Sequence, residues 1–401
     1  MLVNSIRPVA FKGQIIDAHG HIGTFERGGT AFSVNHLDEF LKRPLSNGDT
    51  ISKIIVSNLD CMVGGGKLDE YTGNMNTLRM CQDNVEYSPL AVAMPHKGSV
   101  AQIEKLLKDN PDSFIGLKFH PDCYALKATD ELYVPYLKLA EKHKLPSLFH
   151  CGINWENGEL VDDARRFSDP KAVYQAAKKI PNTPVIMAHL GAGGEKVHQK
   201  AIDVLLESIK NGDAKLYADI SWVDCDTAEK PTIIKVIKAL KNNEKGDFLD
   251  RLLFGSDVPI AEFEKGKNGL SGLQYYDKMV NDIQNAIKKE FGDDSVLIID
   301  RVFYKNAQEL FYDRNWAKSL SEKIEETVVE KTDNTINTLK NSNFKKFIPI
   351  IVGVGLLAIA GIGLLKKISK KPQILQKPAA LNISMMNIND FAAKCQNTTK
   401  S

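Results

Sequence analysis

At 401 residues the chain exceeds an average single domain, and 43% hydrophobic with 25% charged residues is an ordinary globular composition. A formal net charge of +2 gives no reason to expect a nucleic-acid partner. Six cysteines (Cys61, Cys81, Cys123, Cys151, Cys225 and Cys395) are scattered without a CxxC pair, which argues against a disulfide framework or zinc ribbon and for reduced thiols. The opening MLVNSIRPVAFKG has no continuous apolar core, so no cleavable secretory signal is expected there.

The first predicted element is residues 14–23, QIIDAHGHIG, an apolar start followed by His19 and His21. Residues i and i+2 of a strand project from one face, so both imidazoles can reach one ion, and imidazole suits zinc, iron, copper and nickel. A strand-end pair with ordinary hydrogen bonds fits the same spacing. A helical stretch follows around 37–43, then a buried strand over 53–59 (KIIVSNL). Gly64, Gly65 and Gly66 lack a Lys-Ser/Thr ending and read as a connection, not a phosphate cradle. A helix near 74–84 precedes a third strand over 88–94. The helix over 100–108 stops at Asn110-Pro111, and the fourth strand, 114–120 (FIGLKFH), places Lys118 and His120 on one face.

A helix over 134–144 leads to a fifth strand ending at His150. Ser168-Asp169-Pro170 caps a helix running to about 179, and PVIMAHLGAG supplies a sixth strand ending at His189. The helix over 195–209 precedes strand seven, KLYADISW, and the helix over 232–240 precedes strand eight, LLFGSDVP. Helices over 273–290 and 302–312 complete the unit. Eight apolar strands alternating with helices admit a closed barrel or an open doubly wound sheet. Polar residues recur at the strand ends: His19 and His21, His120, His150, His189 and Asp257. A (β/α)8 TIM barrel gathers those ends at one mouth and sets strand eight beside strand one, so Asp257 can meet an ion held by His19 and His21. The barrel is therefore the expected fold.

Beyond it, residues 314–346 read as a polar, partly helical stalk. Residues 347–365, FIPIIVGVGLLAIAGIGLL, are nineteen uncharged residues bracketed by lysines, long enough for a transmembrane helix. Residues 366–401 are polar and expected to be disordered. The expected organisation is thus a tail (1–13), barrel (14–313), stalk, membrane helix and tail, with the barrel tethered on the cytoplasmic side. Flanking lysines are balanced and set no orientation.

The motifs DAHGHIG (17–23), GLKFHP (116–121), LFHCG (148–152), AHLGAG (188–193), FGSDVP (254–259) and KNAQELF (305–311) together resemble the amidohydrolase superfamily, in its amidohydrolase-2 branch of hydrolases and non-oxidative decarboxylases. The resemblance runs over residues 14 to about 313. It implies that His19, His21, His150 and Asp257 bind a divalent ion, zinc in the first place, with His189 as acid/base and Asp257 as both ligand and proton shuttle. In binuclear members a carboxylated lysine on strand four bridges two ions and the strand-six histidine binds the second, which would make Lys118 the bridge and His189 a ligand; otherwise Lys118 ion-pairs inside the mouth and His120 binds substrate or supports a ligand, and one ion is the favoured count. Three imidazoles and a carboxylate leave room for water, as an open catalytic zinc site requires.

Arg27, Trp155, Glu156 and Trp222 are candidates to line the mouth, suited to an aromatic or carboxylate-bearing substrate. Cys151 reads as a small buried residue, and His36, His96, His143 and His198 receive no role. The expected function is a hydrolase acting on a C–N or C–O bond of a small molecule. The alternatives are a decarboxylase of an aromatic or enoic acid and a membrane-tethered scaffold without turnover. A homo-oligomer stays open.

Overall fold

The computed structural model describes residues 13–24, 31–32, 37, 41, 43–62, 67–156, 159–223, 232–242, 248–259 and 272–318. The chain divides into two compact units, 1–317 and 318–401. The stalk beyond Lys318, the apolar run at 347–365 and the tail lie outside the described residues, as do Arg27 and the glycines at 64–66. Among the described residues no helix is long and apolar enough to cross a membrane.

Eight parallel strands form the frame: β1 (Gln14–Thr24), β2 (Thr50–Asn58), β3 (Tyr87–Val92), β4 (Gly116–Phe119), β5 (Ser147–Phe149), β6 (Val185–Met187), β7 (Leu216–Asp219) and β8 (Leu252–Leu253). Each pairs with its neighbour in this order, and Ala31–Phe32 adds a short antiparallel strand to β1. The segment after β8 closes the ring against β1. Ala18 N donates to Phe254 O at 2.9 Å, Asp257 N to His19 O at 2.7 Å and His21 N to Val258 O at 2.7 Å. The open-sheet alternative therefore falls, and the barrel expected from the strand-end residues is found.

The apolar residues sort into two layers by strand alternation. Ile16, Ala18, Ile55, Leu90, Ile115, Leu148, Ile186 and Leu253 fill the barrel interior, and Ala307, Leu310 and Phe311 plug its floor. The opposite strand faces pack on the helices through residues such as Ile15, Ile54, Val56 and Ala91. The helices include α1 (Glu70–Gln82), α2 (Val100–Asp109), α3 (Val134–His143), α4 (Pro170–Lys178), α5 (Glu195–Asn211), α6 (Thr232–Asn242) and α7 (Gly272–Phe291). The closing helix runs on from Ser295–Asp300 through two wider π-type stretches, Arg301–Lys305 and Gln308–Asp313.

Several expected strand ends are not strand. His120 caps a four-residue helix, Pro121–Tyr124, its Nδ1 accepting from Cys123 N at 3.3 Å. His189 lies in a 3-10 turn with φ +62°. Helix α1 begins at Glu70, earlier than the expected 74, because Asp69 caps it by accepting from Thr72 N at 2.9 Å.

Candidate active site

A register shift between Asp17 and Gly20 puts one extra residue into β1 opposite β2. Such a bulge re-aims the side chains beyond it. His19 and His21 both emerge on the inner side, buried, with ring centroids 5.0 Å apart. Asp257 arrives from the far end of the chain with φ +60°. Its Oδ1 stands 2.8 Å from His21 Nε2 and 3.4 Å from His19 Nε2. The pairing expected from ring closure is thus present.

Hydrogen-bond partners assign the tautomers. Asp219 Oδ2 accepts from His19 Nδ1 at 3.0 Å, which leaves a lone pair on His19 Nε2; Lys118 Nζ donates to it at 2.7 Å. The Ser221 hydroxyl donates to Asp219 Oδ1 and therefore accepts from His189 Nδ1, at 2.8 Å. His189 Nε2 then accepts from His150 Nδ1 at 3.2 Å. Donor atoms of His19, His189 and Asp257 all lie within 4.8 Å of one another. Two ligands at about 2.05 Å on a tetrahedral zinc stand about 3.3 Å apart. The 3.4 Å between His19 Nε2 and Asp257 Oδ1 matches that spacing, so this donor set fits a divalent ion.

His150 sits one ring further out. It stacks on His120 with centroids 4.1 Å apart and planes 7° apart, and its Nε2 lies 3.7 Å from Asp122 Oδ2. These three form a second, partly exposed group of candidate ligands at the mouth. Trp222 donates its indole N–H to Asp257 Oδ2 at 2.6 Å. Trp155 lies in a two-residue strand, Trp155–Glu156, paired with Glu159–Leu160; the side chains of Trp155 and Glu156 lie outside the described residues. Cys151 is buried, as expected.

Charge in the site follows burial and partners. Burial pulls the Lys118 ammonium down to about 8 and His21 down to about 4. Burial also holds His189 well below the ordinary histidine range. Burial works against the Asp257 carboxylate, but electrostatic interaction with the His189 and His19 imidazoles and the His21 hydrogen bond outweigh it and hold the group well below the usual range. Asp219 behaves alike: burial opposes ionisation, and its interaction and hydrogen bond with the His19 imidazole more than offset it.

Sequence reasoning missed four supporting residues. Asp219 and Ser221 orient His19 and His189, and Ser57 Oγ meets His21 Nδ1 at 3.0 Å. Asp17 Oδ1 accepts from His19 N at 3.1 Å and Ser256 N at 3.0 Å, tying β1 to the Asp257 turn, and burial pushes its carboxyl up to about 6. The strand-end rule that flagged the other positions applies equally to Asp219 at the end of β7.

Comparison with known proteins bears on family and fold. An amidohydrolase family profile matches residues 74–312, which begins after β1 and β2, so His19 and His21 rest on geometry. No curated protein matches the sequence. Among solved structures, a Staphylococcus aureus protein assigned to the amidohydrolases superposes with TM-score 0.51 at 12% identity, over 74% of this chain and 99% of that one. A Rhizobium 2,6-dihydroxybenzoate decarboxylase matches at TM-score 0.48 and 13% identity, over 75% and 98%. A Pseudomonas putida protein assigned as a 2-pyrone-4,6-dicarboxylic acid hydrolase matches at 0.49 and 12%, over 74% and 97%. At 12% identity the likeness to the Staphylococcus aureus protein speaks to the barrel fold alone; the profile, covering more than half of the chain, speaks to kinship, and the chain belongs to the amidohydrolase family.

Proposed function

We propose that the chain is a metal-dependent hydrolase that cleaves a C–N or C–O bond in a small organic substrate. One observation carries this reading: His19 and His21 converge on a single carboxylate oxygen of Asp257, a residue 236 positions beyond His21 in the chain. A divalent ion, zinc in the first instance, would supply Lewis acidity and a water of lowered pKa. His19, His189 and Asp257 would hold it, with His21 sharing the Asp257 oxygen. The lone pairs on His19 Nε2 and His189 Nε2 are now filled by Lys118 and His150, the two contacts that an ion would take over.

This assignment exchanges two roles implied by the resemblance. His150 was the expected ligand and His189 the expected acid/base. His150 is the one that reaches the mouth, with Asp122 beyond its Nε2, where it can hold and pass a proton at the substrate. His120, whose Nδ1 is engaged by Cys123 N, presents its Nε2–H as a hydrogen-bond donor.

The decarboxylase reading has one observation of its own. Lys118 is a buried cation beside the donor atoms, placed where a substrate carboxylate would be received. The test loads the full chain with zinc or manganese and presents lactones, amides, and aromatic and enoic acids, following products by NMR and carbon dioxide release. Hydrolysed products are expected. Carbon dioxide without hydrolysis would instead assign the decarboxylase, and a protein that takes up no ion would leave the scaffold.

A further inference from the structure

The three residues grouped around the candidate ion site are each held from behind by one tetrapeptide. Asp219-Ile220-Ser221-Trp222 comes directly after β7, and Ile220 N donates to Leu253 O at 3.0 Å, which anchors it to β8. Asp219 accepts from His19 Nδ1 at 3.0 Å and from the backbone N of His189 at 2.9 Å. Ser221 Oγ accepts from His189 Nδ1 at 2.8 Å. Trp222 donates to Asp257 Oδ2 at 2.6 Å. These contacts leave His19 Nε2 and Asp257 Oδ1 3.4 Å apart, and leave His189 Nε2 to accept from His150 Nδ1 at 3.2 Å.

Trp222 adopts φ +59°, a region bulky residues rarely enter. A left-handed residue two positions beyond Ile220 turns the chain back toward β8, and this brings the indole onto Asp257. The segment's own geometry is closed as well: Ser221 N donates to Asp219 Oδ1 at 3.1 Å, and the hydroxyl of Ser221 donates to the same oxygen. A shift of Asp219 therefore moves the partner of His189 with it.

We propose that Asp219, Ser221 and Trp222 act together as one positioning clamp that sets the tautomers of His19 and His189 and confines Asp257 to ligation through a single oxygen. The inference rests on the ion-binding reading above and deepens it by naming the residues that orient its ligands. Partners of metal ligands orient the ligand atoms, and their loss commonly costs about 10- to 100-fold in affinity. Because the indole N–H is bonded to a ligand carboxylate, loading the site changes the electrostatic surroundings of Trp222 directly.

The experiment titrates zinc alone into the full chain against a chelating dye, for wild type, Asp219→Asn, Ser221→Ala, Ser221→Thr and Trp222→Phe, with thermal melting of each metal-free form as a folding control. Asp219→Asn, Ser221→Ala and Trp222→Phe are expected to lose about 10- to 100-fold in zinc affinity, while Ser221→Thr, which keeps the hydroxyl, retains it. Zinc should shift tryptophan emission in wild type and in Trp316→Phe, and not in Trp222→Phe. Should Asp219→Asn fail to fold, the Ser221 and Trp222 variants decide the matter. Folded variants that bind within about twofold of wild type, a difference smaller than one outer contact contributes, overturn the clamp alone. A wild type that takes up no zinc overturns the proposed function and the clamp with it.

Discussion

Gly255 acts through the side chain it lacks. A Cβ there would meet His19 Cβ at 3.0 Å and Asp219 Cβ at 3.1 Å, atoms fixed to backbone that cannot swing aside. The glycine lets β1 and β7 approach across the end of β8, and so permits the His19–Asp219 hydrogen bond. Gly255→Ala is expected to destabilise the fold by about 1–3 kcal/mol and to weaken ion uptake together, read by thermal melting and zinc titration. At this scale the sequence was legible wherever a polar residue ended an apolar strand. His19, His21, His150, His189 and Asp257 were found that way. What could not be read was which imidazole faces which, because that depends on the bulge in β1 and on left-handed residues at 189, 222 and 257. Trp222 illustrates the limit: its position at the mouth was expected, its bond to Asp257 was not.

Helix α1 is fastened to the barrel by a buried carboxylate. Glu70 Oε2 accepts from Met94 N at 2.6 Å and Tyr136 OH at 3.1 Å, and Oε1 accepts from Ser99 N at 2.9 Å. Asn74, one turn on, exchanges two hydrogen bonds with Val92 of β3, at 2.7 and 2.8 Å. Glu70→Ala strands two buried donors and a part-buried one, and is expected to cost about 2–4 kcal/mol at pH 5, measured by chemical unfolding. Burial pushes the Glu70 carboxyl up to about 7 from an ordinary 4.5. The folded state therefore binds the proton more tightly than the unfolded chain. Its contribution is complete below pH 4.5 and is lost as pH rises through 7, by up to about 3 kcal/mol. The gap between wild type and Glu70→Ala should narrow accordingly from pH 5 to pH 8. Elements with a strong period, such as α2 and α5, were legible almost to the residue. The starts of α1 and of the Pro121–Tyr124 turn were not, since each is set by one capping side chain, Asp69 or His120, and not by apolar spacing.

For the whole molecule, barrel closure was legible because chemistry-bearing residues on the first and last strands of the barrel make sense only if strands one and eight meet. The profile match beginning at residue 74 could not supply that; the hydrogen bonds between residues 18–21 and 254–258 do. The floor was harder to foresee, because the sequence predicts a helix over 302–312 but not that its Ala307, Leu310 and Phe311 plug the end of the barrel. The nineteen uncharged residues at 347–365 keep their sequence-based expectation of membrane attachment. Deleting residues 347–401 is expected to move the protein from the membrane pellet to the supernatant with zinc uptake unchanged; a truncation that no longer binds zinc would show that the barrel depends on its C-terminal extension.

Closure between the first strand and the last has a consequence for how the protein comes into being. His19 is synthesised well before its partners Asp219 and Asp257, which lie 200 and 238 positions later. Contacts so distant along a chain form late and slowly. On the ribosome the nascent polypeptide can assemble its middle strands first, but the cation pocket stays unbuilt until the final quarter of the barrel has emerged. Newly made chains thus pass through synthesis chemically inert, and metal capture becomes a mark of completed folding.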